Sequence, residues 1–203
     1  MPHAATDGHD PATIRIAALA ACAGAIWRAD WTCLGERAAW LRSAGAPRAD
    51  LEELLLQAVL FCGFPRVVSA FAALDAAWPA ATPPVGGSLP VADQPAAGRA
   101  LFAAIYDEHA PAVEAMLRGC HADFHAFVID VAYGRVLARP GLGAGDRELL
   151  AAALLAAQDQ PRQFVSHALG ALRLGATRAQ LRAAVHAAVP DAAAADAWCA
   201  RIR

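Results

Sequence analysis

The chain has 203 residues, a formal net charge of −2 and 58% hydrophobic positions, with alanine the commonest residue. It holds no lysine and no asparagine, so all 17 basic residues are arginine, which excludes lysine Schiff-base chemistry, a lysine-bearing phosphate loop and N-glycosylation. The near-neutral balance is no footprint for nucleic acid, which wants a clustered basic excess.

The five cysteines (Cys22, Cys33, Cys62, Cys120 and Cys199) stand at wide spacings with no C-x-x-C pair. Neither a disulfide framework nor a zinc ribbon fits, and a reducing cytosol does. The opening MPHAATDGHDP has no basic region followed by an apolar core, and the apolar runs are short for a membrane span. A cytoplasmic protein with no membrane and no nucleic-acid partner is expected.

In chain order, residues 1–12 read as a loose polar tail. A helical pattern follows from Thr13 to Arg28. Asp30 is placed to cap a second helix, Trp31 to Ser43, with Gly45 past its end. Leu51, Leu54, Leu55, Ala58 and Val59 recur at helical spacing through Phe61. Cys62-Gly63-Phe64-Pro65 then breaks the chain, and another helix runs to Trp78. Residues 79–97, with five prolines and two adjacent glycines, form a linker. Helices are expected again over Gly98 to Glu108, Pro111 to Arg118 and Asp123 to Leu137. The turn Arg139-Pro140-Gly141-Leu142-Gly143 precedes a helix from Asp146 to Ala157 and another from Arg162 to Arg173. Thr177 and Gln180 make a capping box for a helix to Ala188, and Pro190 restarts a last helix. No run alternates like a strand, so the fold class is all-α.

Ala44-Gly45-Ala46 aligns with Leu174-Gly175-Ala176 at an offset of 130 residues, and Arg48-Ala49-Asp50-Leu51 then falls on Arg178-Ala179-Gln180-Leu181. Upstream, the helix of Arg15 pairs with that of Arg147 if about two residues are inserted. The chain reads as two tandem helical units, 13–78 and 98–203. His121 and His125 stand four apart, but no third ligand accompanies them, so no metal site is expected. Trp27, Trp31 and Trp40 read as core or interface packing before they read as a ligand pocket.

Several segments resemble the carboxymuconolactone decarboxylase family, within the wider AhpD-like superfamily. They are Leu55 to Pro65 followed by Ser69-Ala70-Phe71, Asp130 to Leu142, Asp146-Arg147-Glu148-Leu149, Gln163-Phe164-Val165-Ser166-His167, and the Gly175-Ala176-Thr177 turn. The resemblance implies an all-helical AhpD-like fold, a homo-oligomer (a trimer of tandem chains, or one built from dimers), and no metal or cofactor. It implies decarboxylation of a small anionic lactone. His167 would be the acid–base group, with Arg147 and Glu148 beside it, and Arg139, Tyr133 and Arg135 would contact the substrate.

The pattern is also broken. AhpD-like peroxidases carry C-x-x-C-x-x-x-H, whereas this chain has Gln160, Gln163 and His167 in the second unit and Asp30, Cys33 and Arg37 in the first. Neither unit holds the dithiol that peroxide chemistry needs. Two alternatives therefore stand beside the decarboxylase: a thiol redox protein using Cys33 alone, and a non-catalytic helical oligomer with a degenerate site. The first unit keeps the Cys-Gly-Phe-Pro turn and the second keeps the histidine, so one composite site per chain is expected.

Overall fold

The computed structural model describes residues 10–82 and 86–202. Every regular element among them is helical. The first three helices are α1 (Pro11–Arg28), α2 (Trp31–Ser43) and α3 (Arg48–Ala77). After the linker come α4 (Gln94–Tyr106), a 3-10 turn (Asp107–His109), α5 (Ala110–Cys120), α6 (Ala122–Phe127) and a π-helical stretch (Val128–Leu137). The chain ends in α7 (Ala144–Ala157), α8 (Pro161–Arg173), α9 (Arg178–Ala188) and α10 (Ala192–Cys199).

Side-chain caps set several of these boundaries. Asp30 accepts from the Cys33 N–H at the start of α2, Thr177 and Gln180 form the capping box of α9, and Asp191 accepts from the Ala194 N–H at the start of α10. The expected loose tail lies outside the described residues except at its end. There Asp10 caps α1, which therefore starts two residues before Thr13.

Other boundaries differ from the sequence expectation. α7 starts at Ala144 with Gly143 at its N-cap, so Asp146 lies inside the helix and does not cap it. α4 starts at Gln94, inside the expected linker, because Pro95 stands in the first turn, where no N–H is needed. The expected helix Asp123 to Leu137 divides into α6 and the π-helix, with the Ala138 N–H reaching five residues back to the Tyr133 carbonyl. This widened stretch lies against α4 so closely that a Cβ on Gly98 would stand 2.6 Å from the Gly134 nitrogen.

Landmarks of α1–α3 recur 130 residues later. Ala29 and Asp159, both at φ 56°, end α1 and α7, and Gly45 and Gly175, also at positive φ, follow α2 and α8. α2 and α8 share their bounds at this offset. No insertion is needed, so Arg15 is matched by Gly145 rather than by the helix of Arg147 shifted by two. Arg15 instead ties α1 to both other elements, donating to Asp50 on α3 (2.7 Å) and Asp146 on α7 (2.9 Å).

One main core, with Ile16, Leu19, Leu54, Leu149, Phe164 and Val185 among its members, joins the two ends of the chain. A smaller core around Phe102, Ile105, Ile129 and Tyr133 belongs to the middle segment. α1 packs along α9, and α7 packs on α1, α8 and α9. By length and composition α3 could cross a membrane, with a mean hydropathy of 1.8 over its most apolar stretch. Gly63 interrupts it at φ 75°, ψ 165°, as the Cys-Gly-Phe-Pro break requires, and its buried Asp50, Glu53 and Gln57 face other helices.

The Gly98 contact is backbone against backbone, so it has no flexible atom to yield. Gly98→Ala is expected to destabilise the fold by about 1–3 kcal/mol. Gly119→Ala on α5, where an added Cβ meets nothing, should be neutral or stabilise by about 0.5–1 kcal/mol. Urea unfolding of both variants checks the contrast.

Candidate active site

The N-terminal part of α7, just past its first turn, sets the site. Arg147 and Glu148 are adjacent there, and both are turned inward to 1% exposure. Burial then obliges each group to find a partner, because an unpaired internal charge costs several kcal/mol.

Glu148 finds His167 on α8. The His167 Nδ1 and Glu148 Oε2 atoms lie 2.8 Å apart. With the carboxylate on Nδ1, that nitrogen carries the proton and Nε2 is left as the exchanging atom. Burial alone would push the imidazole pKa down. The charge and hydrogen bond of Glu148 outweigh it and hold His167 above its ordinary value. The His167 side chain keeps 11% of its surface open. Gly170, one turn on, clears the space: a Cβ there would stand 3.1 Å from Glu148 Oε2 and 2.7 Å from Ile105 Cγ2.

Arg147 finds Glu53, on α3, and its Nη2 donates to Glu53 Oε2 at 2.7 Å. Arg139 donates to the same carboxylate from Nη2 (2.7 Å) and Nε (2.9 Å). Burial would raise the Glu53 pKa, but the two guanidinium groups bring it below the ordinary carboxylate range. The turn before α7 fits around this carboxylate. Gly141 has φ 103°, and a Cβ there would meet Glu53 Cγ at 3.0 Å. Gln57, one turn along α3, donates from Nε2 to the Arg147 carbonyl at 2.8 Å. Phe61, a turn further, sets its ring edge-on to His167 at 6.3 Å.

Tyr133 donates to the Tyr106 hydroxyl at 3.0 Å, and Phe102 packs against both rings. Burial pushes both hydroxyls up, and the charge of Glu148 adds to the effect, so the pair is neutral and serves as hydrogen-bonding groups.

Of the residues expected at the site, the structure brings His167, Glu148 and Arg147 together, with Arg139 attached through Glu53 and Tyr133 within the field of Glu148. One expectation needs correction. Arg139 is not free for a substrate carboxylate: Glu53 takes its Nε and Nη2, and Ser88 Oγ takes its Nη1 (2.6 Å). Arg147 differs, since its Nε and Nη1 are buried without a partner among the described residues. Arg135 is exposed on the π-helix and makes no described ion pair.

Cys33 lies on α2, which packs on α1 and α3. Burial pushes the Cys22 thiol up to about 12 and the Cys62 thiol to about 11, so both stay protonated. His121 caps α6 through the Asp123 N–H, and His125 lies 3.7 Å from Glu114. No group of three metal-ligating side chains occurs among the described residues. Trp27 and Trp31 pack on the core, and Arg66 lies over the Trp27 ring, while Trp40 is exposed. Two shallow surface pockets, one beside Arg99 and Phe102 and one beside Arg178 and Cys199, do not include His167.

Comparison with known families decides where this geometry belongs. The model of the carboxymuconolactone decarboxylase family matches residues 122–202. This part of the chain is similar to that family. The match contains Tyr133, Arg139, Arg147, Glu148 and His167 and extends from α6 to α10. No curated protein and no solved structure matches the chain. The sequence reading missed Glu53, Gln57, Phe61, Tyr106 and Gly170. The polar pair Glu53 and Gln57, set four apart beside an apolar helical stripe, was the available signal.

A histidine raised in the folded protein adds stability that is complete below its unfolded value, about 6.5, and is lost as pH rises through the folded value. The urea midpoint of the parent should therefore exceed that of His167→Gln most at about pH 5.5, narrowing by about pH 9. A gap of constant size across that range would mean that His167 carries no proton linkage.

Proposed function

We propose that the chain is a cofactor-independent, decarboxylase-like enzyme acting on a small anionic lactone or related carboxylate, with His167 as its acid–base group. The observation that carries this reading is the buried His167–Glu148 pair at 2.8 Å, inside the segment that the family model matches.

Decarboxylation breaks a carbon–carbon bond and leaves its electron pair on the substrate. A lactone carbonyl conjugated to that carbon accepts the pair as an enolate-like anion, and the carbon must then be protonated. A protonated His167 can deliver the Nε2 proton, while Glu148 stabilises the imidazolium beforehand and keeps the ring oriented. The side chain's residual exposure gives the proton a route back from solvent. The neutral Tyr106–Tyr133 pair leaves the Tyr106 hydroxyl as a donor near Glu148, since Tyr133 donates to Tyr106. Arg147 has two guanidinium donors without partners, so it is the better candidate for an anionic group than Arg139. Thiol peroxidase chemistry has less support, since Gln160 and Gln163 replace the dithiol.

Activity on carboxymuconolactone, followed by loss of substrate absorbance, tests the reading. His167→Gln should lower kcat by about 10²–10⁴-fold, Glu148→Gln should lower it and move the pH optimum down, and Cys33→Ser should leave it unchanged. Turnover unaffected by His167→Gln would remove the histidine from the site. Turnover lost in Cys33→Ser would favour the thiol alternative, and no turnover in the parent would favour the non-catalytic one.

A further inference from the structure

The positions 130 residues before Glu148 and His167 are Ala18 and Arg37, so the N-terminal half has no acid–base pair at the corresponding place. It does have a helix face turned to the pair of the other half. Glu53, Gln57 and Phe61 are spaced by four on α3 and therefore share one face. Glu53 holds the guanidinium of Arg147, the residue before Glu148. Gln57 holds the Arg147 carbonyl. Phe61 lies edge-on to the His167 ring, and its carbonyl accepts from Gln158, just past the end of α7, at 3.0 Å. The contacts thus reach the start of α7, its end, and the catalytic ring on α8.

We propose that the N-terminal half supplies the positioning wall of a single His167–Glu148 site, through Glu53, Gln57 and Phe61 on one face of α3. This rests on reading His167 and Glu148 as the acid–base pair. Glu53, Gln57 and Phe61 are positioning residues: Glu53 and Gln57 hold Arg147, the neighbour of Glu148, Phe61 meets the His167 ring, and none is required to touch substrate. Glu53 also sets the local charge. One carboxylate stands against two guanidinium groups directly behind Glu148. Losing the carboxylate leaves two cations, which disfavour a protonated His167, whereas losing Arg139 leaves one of each, which favours it. The two tyrosines nearby stay neutral, so the charges that respond are Glu148, Glu53, Arg139 and Arg147.

The opposite signs separate this role from simple packing, because both substitutions break the same contact. The test is an NMR titration of the His167 ring, with His167→Gln used to assign its signal. Glu53→Gln should lower the His167 midpoint and Arg139→Gln should raise it, each by at least about 0.3 pH units. Glu53→Asp should stay near the parent value, and the double variant Glu53→Gln/Arg139→Gln should return to it. Shifts of one sign in both single variants, or none in folded protein, would overturn the proposal. If Glu53→Gln does not fold, the sign in Arg139→Gln and the value in the charge-balanced double variant decide. The titration needs no substrate, so a failed decarboxylation assay leaves this result readable.

Discussion

The carboxylate of Glu53, accepting from Arg139 and Arg147 together, is the contact on which the site depends. It joins residues 86 and 94 positions apart, and it lets an almost fully buried arginine stand just past the first turn of α7. Were Arg147 unpaired, burial would favour turning that face outward, and Glu148 would turn with it. Removing one partner of a buried ion pair costs about 3–5 kcal/mol, so this contact helps to fix which face of α7 points inward. The His167–Glu148 pair follows from that choice. A buried carboxylate needs a donor, and the α8 helix presents one where Gly170 leaves room.

The middle segment serves the same end from the other side. Close backbone approach at Gly98 and Gly134 locks α4 to the π-helix. Arg173 on α8 donates to the Ile105 carbonyl at 2.7 Å, which anchors α4 to the helix that carries His167. Tyr106 and Tyr133 are thereby held together next to Glu148. The hydroxyl pair and the arginine cluster thus come from elements on either side of the α7 start, and α7 is the common member.

Local features were the most legible in the sequence. Caps and turns depend on a few neighbouring atoms, so Asp30, the Thr177–Gln180 box, Gly45, Gly63 and Gly175 could be read directly. Apolar periodicity gave the helices but not the π-helix, because Val128 to Leu137 has an apolar face under either pitch. His167, Glu148 and Arg147 were found through family-like motifs. Their partners were not: Glu53 lies outside those motifs, Gln57 stands inside the Leu55 to Pro65 segment with nothing to mark its partner, and the contacts of both cross some 90 residues. Arg139 shows the limit most clearly. Its position before a proline turn was readable, but its full set of bonds to Glu53 and Ser88 could only emerge from the packed chain.

The account stands or falls on whether Glu148 keeps the buried imidazole of His167 protonated. A direct measurement is the pH titration of the His167 ring by NMR in the parent and in Glu148→Gln. The account predicts a parent midpoint above about 6.5 that drops below it once the carboxylate is neutralised and burial alone acts on the ring. A parent midpoint at or below the ordinary value, or one that Glu148→Gln leaves unmoved, would contradict it.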